Sequence, residues 1–250
     1  MNKSISVAIP HYNNSHFMND TLRYIKEDDR IDEIIICDDK SNDIDKLENI
    51  LNKLNCEKIK LFKNEVNIGC YHNKLSTLSK CKNEWACLID SDNIIDKLYI
   101  DKIFEFENWK ENVIYAPMWA YTFPGNVSQT LNYSIFKNVM FDSKKYIDSY
   151  YYKNNIIFKC LANTCNYFVN VKNYISIMNK YNYDREIIDS LDSCILLSDW
   201  LSNGNFLLVV QNLVYKHRVH SNSNYKLSKS KIYTSKVEKS IFDKLNNSLK

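Results

Sequence analysis

Glu84-Trp85-Ala86-Cys87-Leu88-Ile89-Asp90-Ser91-Asp92-Asn93 decides the fold, because an apolar run halts there at two carboxylates spaced one residue apart. A run of about four to six apolar residues suits a strand whose sheet is covered on both faces. In open α/β sheets, ligands gather beyond the carboxyl ends of such strands. Asp90 and Asp92 fall at that end. If the strand continues, residues i and i+2 point the same way and both carboxylates face one divalent cation, with hard oxygen ligands suiting Mg²⁺ or Mn²⁺. Spacing alone does not decide this. Asp43-Ile44-Asp45 repeats the pattern without an apolar strand before it, and reads as a solvated loop or a helix start.

Upstream, Ile5-Ser6-Val7-Ala8-Ile9-Pro10 is a short apolar strand closed by a proline, which has no N–H for a ladder, and His11-Tyr12-Asn13-Asn14 follows as a loop. Asn19-Asp20-Thr21 can cap a helix through about Lys26. Ile31 to Cys37 forms a second buried strand ending at Asp38-Asp39-Lys40-Ser41-Asn42-Asp43. Leu47, Ile50, Leu51 and Leu54 recur at helical spacing, Lys58 to Phe62 is a third strand, and Asn67-Ile68-Gly69 turns into a helix over about Tyr71 to Ser79. Strands alternating with helices predict an α/β fold with a parallel sheet and right-handed crossovers, whose loops share a crevice at one end.

In order, Val7-Ala8-Ile9-Pro10-His11-Tyr12-Asn13, Ile36-Cys37-Asp38-Asp39-Lys40-Ser41-Asn42-Asp43, Asn67-Ile68-Gly69, and Asn83-Glu84-Trp85 running into Leu88-Ile89-Asp90-Ser91-Asp92-Asn93 resemble the motifs of family-two glycosyltransferases of the GT-A fold. The resemblance is strong over the first hundred or so residues and looser beyond. It implies a Rossmann-like mixed, mostly parallel sheet flanked by helices, a nucleotide-sugar donor (UDP first among the candidates), and Mn²⁺ or Mg²⁺ as cofactor. Asp92 would be the principal metal ligand and Asp90 would approach the ribose or a metal-bound water, or the two would exchange roles. Asp39, with Asp38 as alternate, would accept hydrogen bonds from the base or ribose, whose N–H and O–H groups are donors. Pro10 and Tyr12 would pack beside the base, and Asn13 and Ser91 complete the donor-binding set. Lys74 stands where the family usually has an arginine on the helix after Asn-x-Gly. Its ammonium would meet the pyrophosphate, unless it is an ordinary exposed helix lysine. Departures from the pattern are Asn93 in place of a second Asp, Asn83 in place of Gly, and His11 in place of a small or β-branched residue.

In the second half, Leu161-Ala162-Asn163-Thr164-Cys165-Asn166-Tyr167-Phe168-Val169 resembles the strand flanking the family's acceptor site. Asp189 to Leu201 reads as a helix stopped at Asn203-Gly204-Asn205. The family places its catalytic carboxylate at the start of this helix, which fits Asp192. The alternates are Asp189, a possible N-cap, and Asp199, two turns on; the plain reading of all three is capping or solvent-facing charge. Phe206 to Val210 and Leu213 to Val219 read as two strands, and the ending Tyr215-Lys216-His217-Arg218-Val219-His220 resembles the family's tyrosine-x-arginine-x-histidine close. His220 or His217 would complete the metal shell, or Arg218 would steady the phosphates. Alternation puts His220 and Arg218 on one face and His217 on the other.

With 250 residues, 45% of them hydrophobic, the chain is large enough for one α/β domain over residues 1–220 (a nucleotide-sugar half, 1–95, and an acceptor-side half, 96–220) and a basic, helical tail over 221–250. A net charge of +3 is too small to imply nucleic-acid binding. In the tail, Ile232, Val237, Ile241 and Leu245 recur at near-helical spacing. They predict a helix packed on the domain or, alternatively, a basic amphipathic helix making peripheral contact with an anionic membrane. No apolar run approaches the roughly 18 residues of a membrane span, and the polar start shows no signal peptide, so a cytoplasmic location is expected. The eight cysteines lack Cys-x-x-Cys spacing and read as free thiols. Three glycines argue against a glycine-rich phosphate loop. The expected function is a metal-assisted, inverting glycosyltransferase acting on a saccharide, lipid-linked or protein acceptor. The alternative is a non-catalytic module that binds a sugar nucleotide or glycan.

Overall fold

Ile5–His11 (β1) and Ile31–Asp38 (β2) are buried along nearly their whole length, as strands with both faces covered must be. They run parallel with Ile9 opposite Ile36 and His11 opposite Asp38. Trp85–Leu88 (β4) pairs parallel on the other side of β1, and Ile59–Lys63 (β3) parallel on β2. Tyr167–Asn170 (β7) then enters antiparallel between β4 and Val113–Phe123 (β5). Phe206–Arg218 (β8) runs parallel to β5, and Met140–Phe141 (β6) closes the edge antiparallel. The order is β3-β2-β1-β4-β7-β5-β8-β6 in this computed structural model, which describes residues 3–106, 108–124, 129–178, 191–220 and 234–250.

The period-2 alternation of the strands divides the apolar residues between two cores. Val7, Ile9, Ile34 and Ile36 face Met18–Leu22 (α1), Ile44–Leu54 (α2) and Lys97–Phe104 (α4). Ala8, Ala86 and Leu88 face Cys70–Ser79 (α3) together with helices of the second half. These are Ser143–Ile147 (α5), Ile156–Ala162 (α6), Val171–Met178 (α7), Asp192–Ser202 (α8) and Thr234–Asn247 (α9).

Several elements differ from expectation. The helix expected from residue 19 to 26 breaks into α1 and a separate 3₁₀ turn over Ile25–Glu27. The segment 161–169 divides between the end of α6 and the start of β7. The two strands expected after residue 205 are one. Asn212 takes a left-handed φ of 63°, and the pairing with β5 shifts register between Pro117 and Trp119; a bulge of this kind bends a strand without ending it. On α9, Val237, Ile241 and Leu245 are buried and the helix packs on α5 and α8. That apolar stripe is covered by protein, not presented to lipid; Ile232 lies outside the described residues. No helix among the described residues is long and apolar enough to cross a membrane.

Candidate active site

At the end of β4 the Ile89 amide still pairs with the Ala8 carbonyl at 2.9 Å, but the Asn93 amide then folds back onto the Asp90 carbonyl at 3.0 Å. Residues 90 to 93 form a turn in place of the continuing strand expected of them, so Asp90 and Asp92 take different partners. Asp90 Oδ1 lies 3.3 Å from Lys74 Nζ, and Asp92 Oδ2 lies 2.9 Å from His220 Nε2. Asn166, fully buried just before β7, pins the turn: its Oδ1 accepts from the Asp90 amide (3.1 Å) and from Asn93 Nδ2 (3.3 Å). Its own Nδ2 donates to the Thr164 carbonyl at 2.7 Å. Sequence reasoning gave Asn166 no role; an amide side chain leading into the apolar Tyr167-Phe168-Val169 was the available signal.

The end of β8 crosses the same turn. The Arg218 amide donates to Asn93 Oδ1 (3.2 Å), its Nε to the Asp92 carbonyl (3.1 Å) and its Nη2 to Asp20 Oδ2 (2.8 Å). Its guanidinium stacks between Phe17 and Phe123, 4.3 and 4.4 Å from their ring centres. Arg218 therefore braces the turn in this structure, and Asp20, expected only to help cap a helix, is its ionic partner. Burial lowers the pKa of His217 against the opposing pull of the Asp92 carboxylate, and among the described residues its Nδ1 has no hydrogen-bond partner.

Lys74 is buried, contrary to the exposed-helix alternative, and its Nζ donates to Asp192 Oδ2 at 2.6 Å. Asp192 opens α8 and is also buried. Burial alone would lower the Lys74 ammonium; the carboxylates of Asp192 and Asp90 reverse this and hold it well above its ordinary value. Burial pushes the Asp90 carboxyl up to about 6, with Lys74 opposing and Asp92 and Asp192 adding to the rise. Asp199, one of the alternates, is fully buried away from this turn and pairs with Lys244 and the Tyr71 hydroxyl. The other alternate, Asp189, lies outside the described residues.

The loops after β1 and β2 form a second cluster. Asp38 Oδ1 meets His11 Nδ1 at 2.8 Å and its Oδ2 accepts from the Ser41 amide at 3.0 Å. Burial would raise Asp38, but His11 and Ser41 bring it below the ordinary carboxylate range. Asp39 accepts from the amides of Ile68 (2.8 Å) and Gly69 (2.9 Å) and from Asn64 Nδ2 (2.9 Å). It thereby holds the Asn67-Ile68-Gly69 turn, in which Gly69 takes a φ of 86° that favours glycine. Asn13 Oδ1 accepts from the Asn42 amide at 2.8 Å, and the Asn13 amide donates to Ser41 Oγ at 2.9 Å. Pro10 is half-buried, and Tyr12 stands 42% exposed at the rim. Ser91, in the turn itself, is buried and accepts from Asn14 Nδ2 at 3.2 Å.

Among the described residues no three His, Cys, Asp or Glu side chains gather as a ready metal site, and the eight cysteines are free thiols. Asp92 and His220 lie 2.9 Å apart, and both are partly open to solvent. A carboxylate and an imidazole form a mixed oxygen and nitrogen set.

Residues 6–168 match the model of glycosyl transferase family 2. No match is found among curated proteins. Among solved structures, the chain is similar to S. aureus TarS 1-349 in complex with UDP-GlcNAc, at 16% identity and a TM-score of 0.67, over 90% of this chain and 61% of that one. The same fragment with UDP gives 18% identity and a TM-score of 0.63, over 87% and 61%. GalNAc-T7 with UDP, GalNAc and Mn²⁺ gives 14% identity and a TM-score of 0.61, over 87% and 43%. The chain thus spans about three-fifths of the TarS fragment's length. At these identities the likeness is one of fold, and it joins the eight-stranded mixed sheet to the GT-A architecture. By the family match over residues 6–168, the chain belongs to glycosyl transferase family 2.

Proposed function

We propose that this protein transfers a sugar, with inversion, from a UDP-sugar to the hydroxyl of a saccharide, lipid-linked or protein acceptor, with Asp192 as general base. One observation carries the reading: Lys74 joins Asp90 to Asp192, at 3.3 and 2.6 Å. The turn suited to the leaving nucleotide and the carboxylate suited to the attacking hydroxyl therefore flank one ammonium. The base takes the proton of the hydroxyl as that oxygen approaches the anomeric carbon from the side opposite the departing diphosphate. Lys74 holds the Asp192 carboxylate in place through its 2.6 Å contact. Solved GT-A neighbours carry UDP, UDP-GlcNAc or UDP with Mn²⁺, which supports the choice of donor.

The cleft residues fit a divalent cation. Asp90 and Asp192 share Lys74, and the Asp92 and Asp192 carboxylates both raise the pKa of Asp90, an excess of negative charge that a cation would offset. Asp92 and His220 would hold the ion, and their mixed ligand set suits Mn²⁺ better than Mg²⁺, which prefers oxygen alone. When bound, the ion would neutralise charge developing on the nucleoside diphosphate. The chain's own part is to orient: Arg218 and Asn166 fix the turn.

A second reading, a binding module without turnover, is favoured by the same 2.6 Å contact, because a carboxylate oxygen already engaged by an ammonium is less free to accept from a substrate hydroxyl. The test is nucleotide release from UDP-, GDP-, CMP- and dTDP-sugars with Mn²⁺, Mg²⁺ or EDTA. Metal-dependent release from a UDP-sugar supports the enzyme. Tight UDP binding with no release from any donor, in wild type as in Asp192→Asn, supports the module.

A further inference from the structure

The polar contacts that border the cleft continue past Asp192. On α3, Tyr71 and Lys74 are three residues apart; on α8, Asp192 and Asp199 are seven apart, and each spacing puts both side chains on one helix face. The two faces meet in two rungs: Lys74 Nζ to Asp192 Oδ2 at 2.6 Å, and the Tyr71 hydroxyl to Asp199 Oδ2 at 3.4 Å. The second rung holds a carboxylate with 0% exposure. A third helix answers its charge, because Lys244 of α9 pairs with Asp199 Oδ1.

Other contacts set α9 in place. Val237, Ile241 and Leu245 are buried. The hydroxyls of Tyr150 and Tyr151 reach the Glu238 side chain (3.0 Å) and carbonyl (2.7 Å), and Ser248 Oγ donates to Ser143 Oγ at 3.1 Å. A buried carboxylate that loses a counter-charge is unfavourable, so the Lys244 contact is one of those that hold α8 in this orientation.

We infer that α9 is a positioning element for the chemistry at the cleft. Lys244 and Asp199 are positioning residues that fix the rotation and height of α8, and thereby the Asp192 carboxylate against Lys74 and Asp90. The inference rests on Asp192 being the base. It also places a functional dependence outside residues 6–168, the part that the family model covers.

The test uses the full chain and compares wild type, Lys244→Met and Lys244→Arg. Three quantities are read: amide hydrogen exchange at residues 192–195, affinity for UDP with Mn²⁺, and turnover of the UDP-sugar panel with and without Asp192→Asn. In Lys244→Met, exchange at 192–195 rises about tenfold and kcat falls by about tenfold to a hundredfold. UDP affinity and donor KM stay unchanged, and Lys244→Arg restores both quantities. In the Asp192→Asn background, Lys244→Met causes no further loss, since residues acting through one group are not additive. If Lys244→Met does not fold, the neutral pair Asp199→Asn with Lys244→Met takes its place, with the same shifts at reduced size. Faster exchange confined to residues 199–202 with kcat unchanged overturns the inference while leaving the base intact. An equal loss of UDP affinity marks general loosening and also overturns it. Full turnover by Asp192→Asn alone overturns the base reading, and the inference with it.

Discussion

Two groups of aspartates stand at the carboxyl end of one sheet and are held in opposite ways. Asp38 and Asp39, at the end of β2, are met by an imidazole and by amides of their own chain, with three donors on Asp39 alone. Asp90, Asp92 and Asp192 are met by one lysine and one histidine, and Asp90 and Asp92 remain partly open to solvent. A carboxylate saturated by backbone N–H groups organises loops. A cluster with more negative than positive charge calls for a cation or a ligand to balance it. We propose scaffolding for the first group and chemistry for the second.

The largest effect expected on this view is that of Asp192→Asn, which keeps the shape and removes the base. Turnover falls by roughly 10²–10⁴-fold while UDP affinity is retained. Steady-state rates beside calorimetric UDP titrations check it, and unchanged turnover removes Asp192 from the chemistry. Next comes Asp92→Ala, for which metal-dependent UDP binding is lost and nucleotide release drops by about 10²–10³-fold. Retention of Mn²⁺-dependent UDP binding in this variant would dissolve the distinction between the two groups.

Asp39→Asn probes the other side. Replacing one oxygen by an NH₂ confronts an amide donor with another donor, at a cost of about 1–3 kcal/mol of stability. Urea unfolding should register the loss, with UDP affinity in the folded fraction little changed. A fall in UDP affinity without loss of stability would return Asp39 to the donor contact that the family resemblance implies.

Strands β2 and β4 were legible in the sequence because a doubly covered strand needs an unbroken apolar run, and Ile34-Ile35-Ile36 and Ala86-Cys87-Leu88 supply one. The α9 stripe was legible for the same reason, at helical period. What the sequence hid depends on partners distant along the chain. Lys74 looks like any helix lysine until α8, 118 residues later, brings Asp192 to it. Nothing in Asp90-Ser91-Asp92 distinguishes a strand from a turn, since the bond that makes the turn runs between backbone groups and Asn166 supports it from 76 residues away. The single long β8 was hidden because Asn212 resembles a turn residue, while β5 absorbs the irregularity.

The smallest effect separates two linked titrations inside the cleft. Asp90 is pushed up to about 6 by burial and by Asp92 and Asp192, against the pull of Lys74. Its folded value thus lies above that of the unfolded chain, roughly 3.9. The folded state binds the extra proton between these values, so the penalty of an ionised Asp90, present above about pH 6, is relieved as pH falls toward 4. Lys74 is shifted upward too, but as a cation: its contribution is complete below about pH 10 and is lost only as pH rises through the folded value. Relative to Asp90→Asn, the wild type therefore gains thermal stability from pH 7 to pH 5, while Mn²⁺-dependent UDP affinity weakens a few-fold over that interval as the carboxylate is neutralised. Melting curves and UDP titrations of both proteins at matched pH give the two differences. A weakening of affinity that persists in Asp90→Asn assigns the titration to another group of the cleft, and the charged cluster then depends less on Asp90 than the comparison requires.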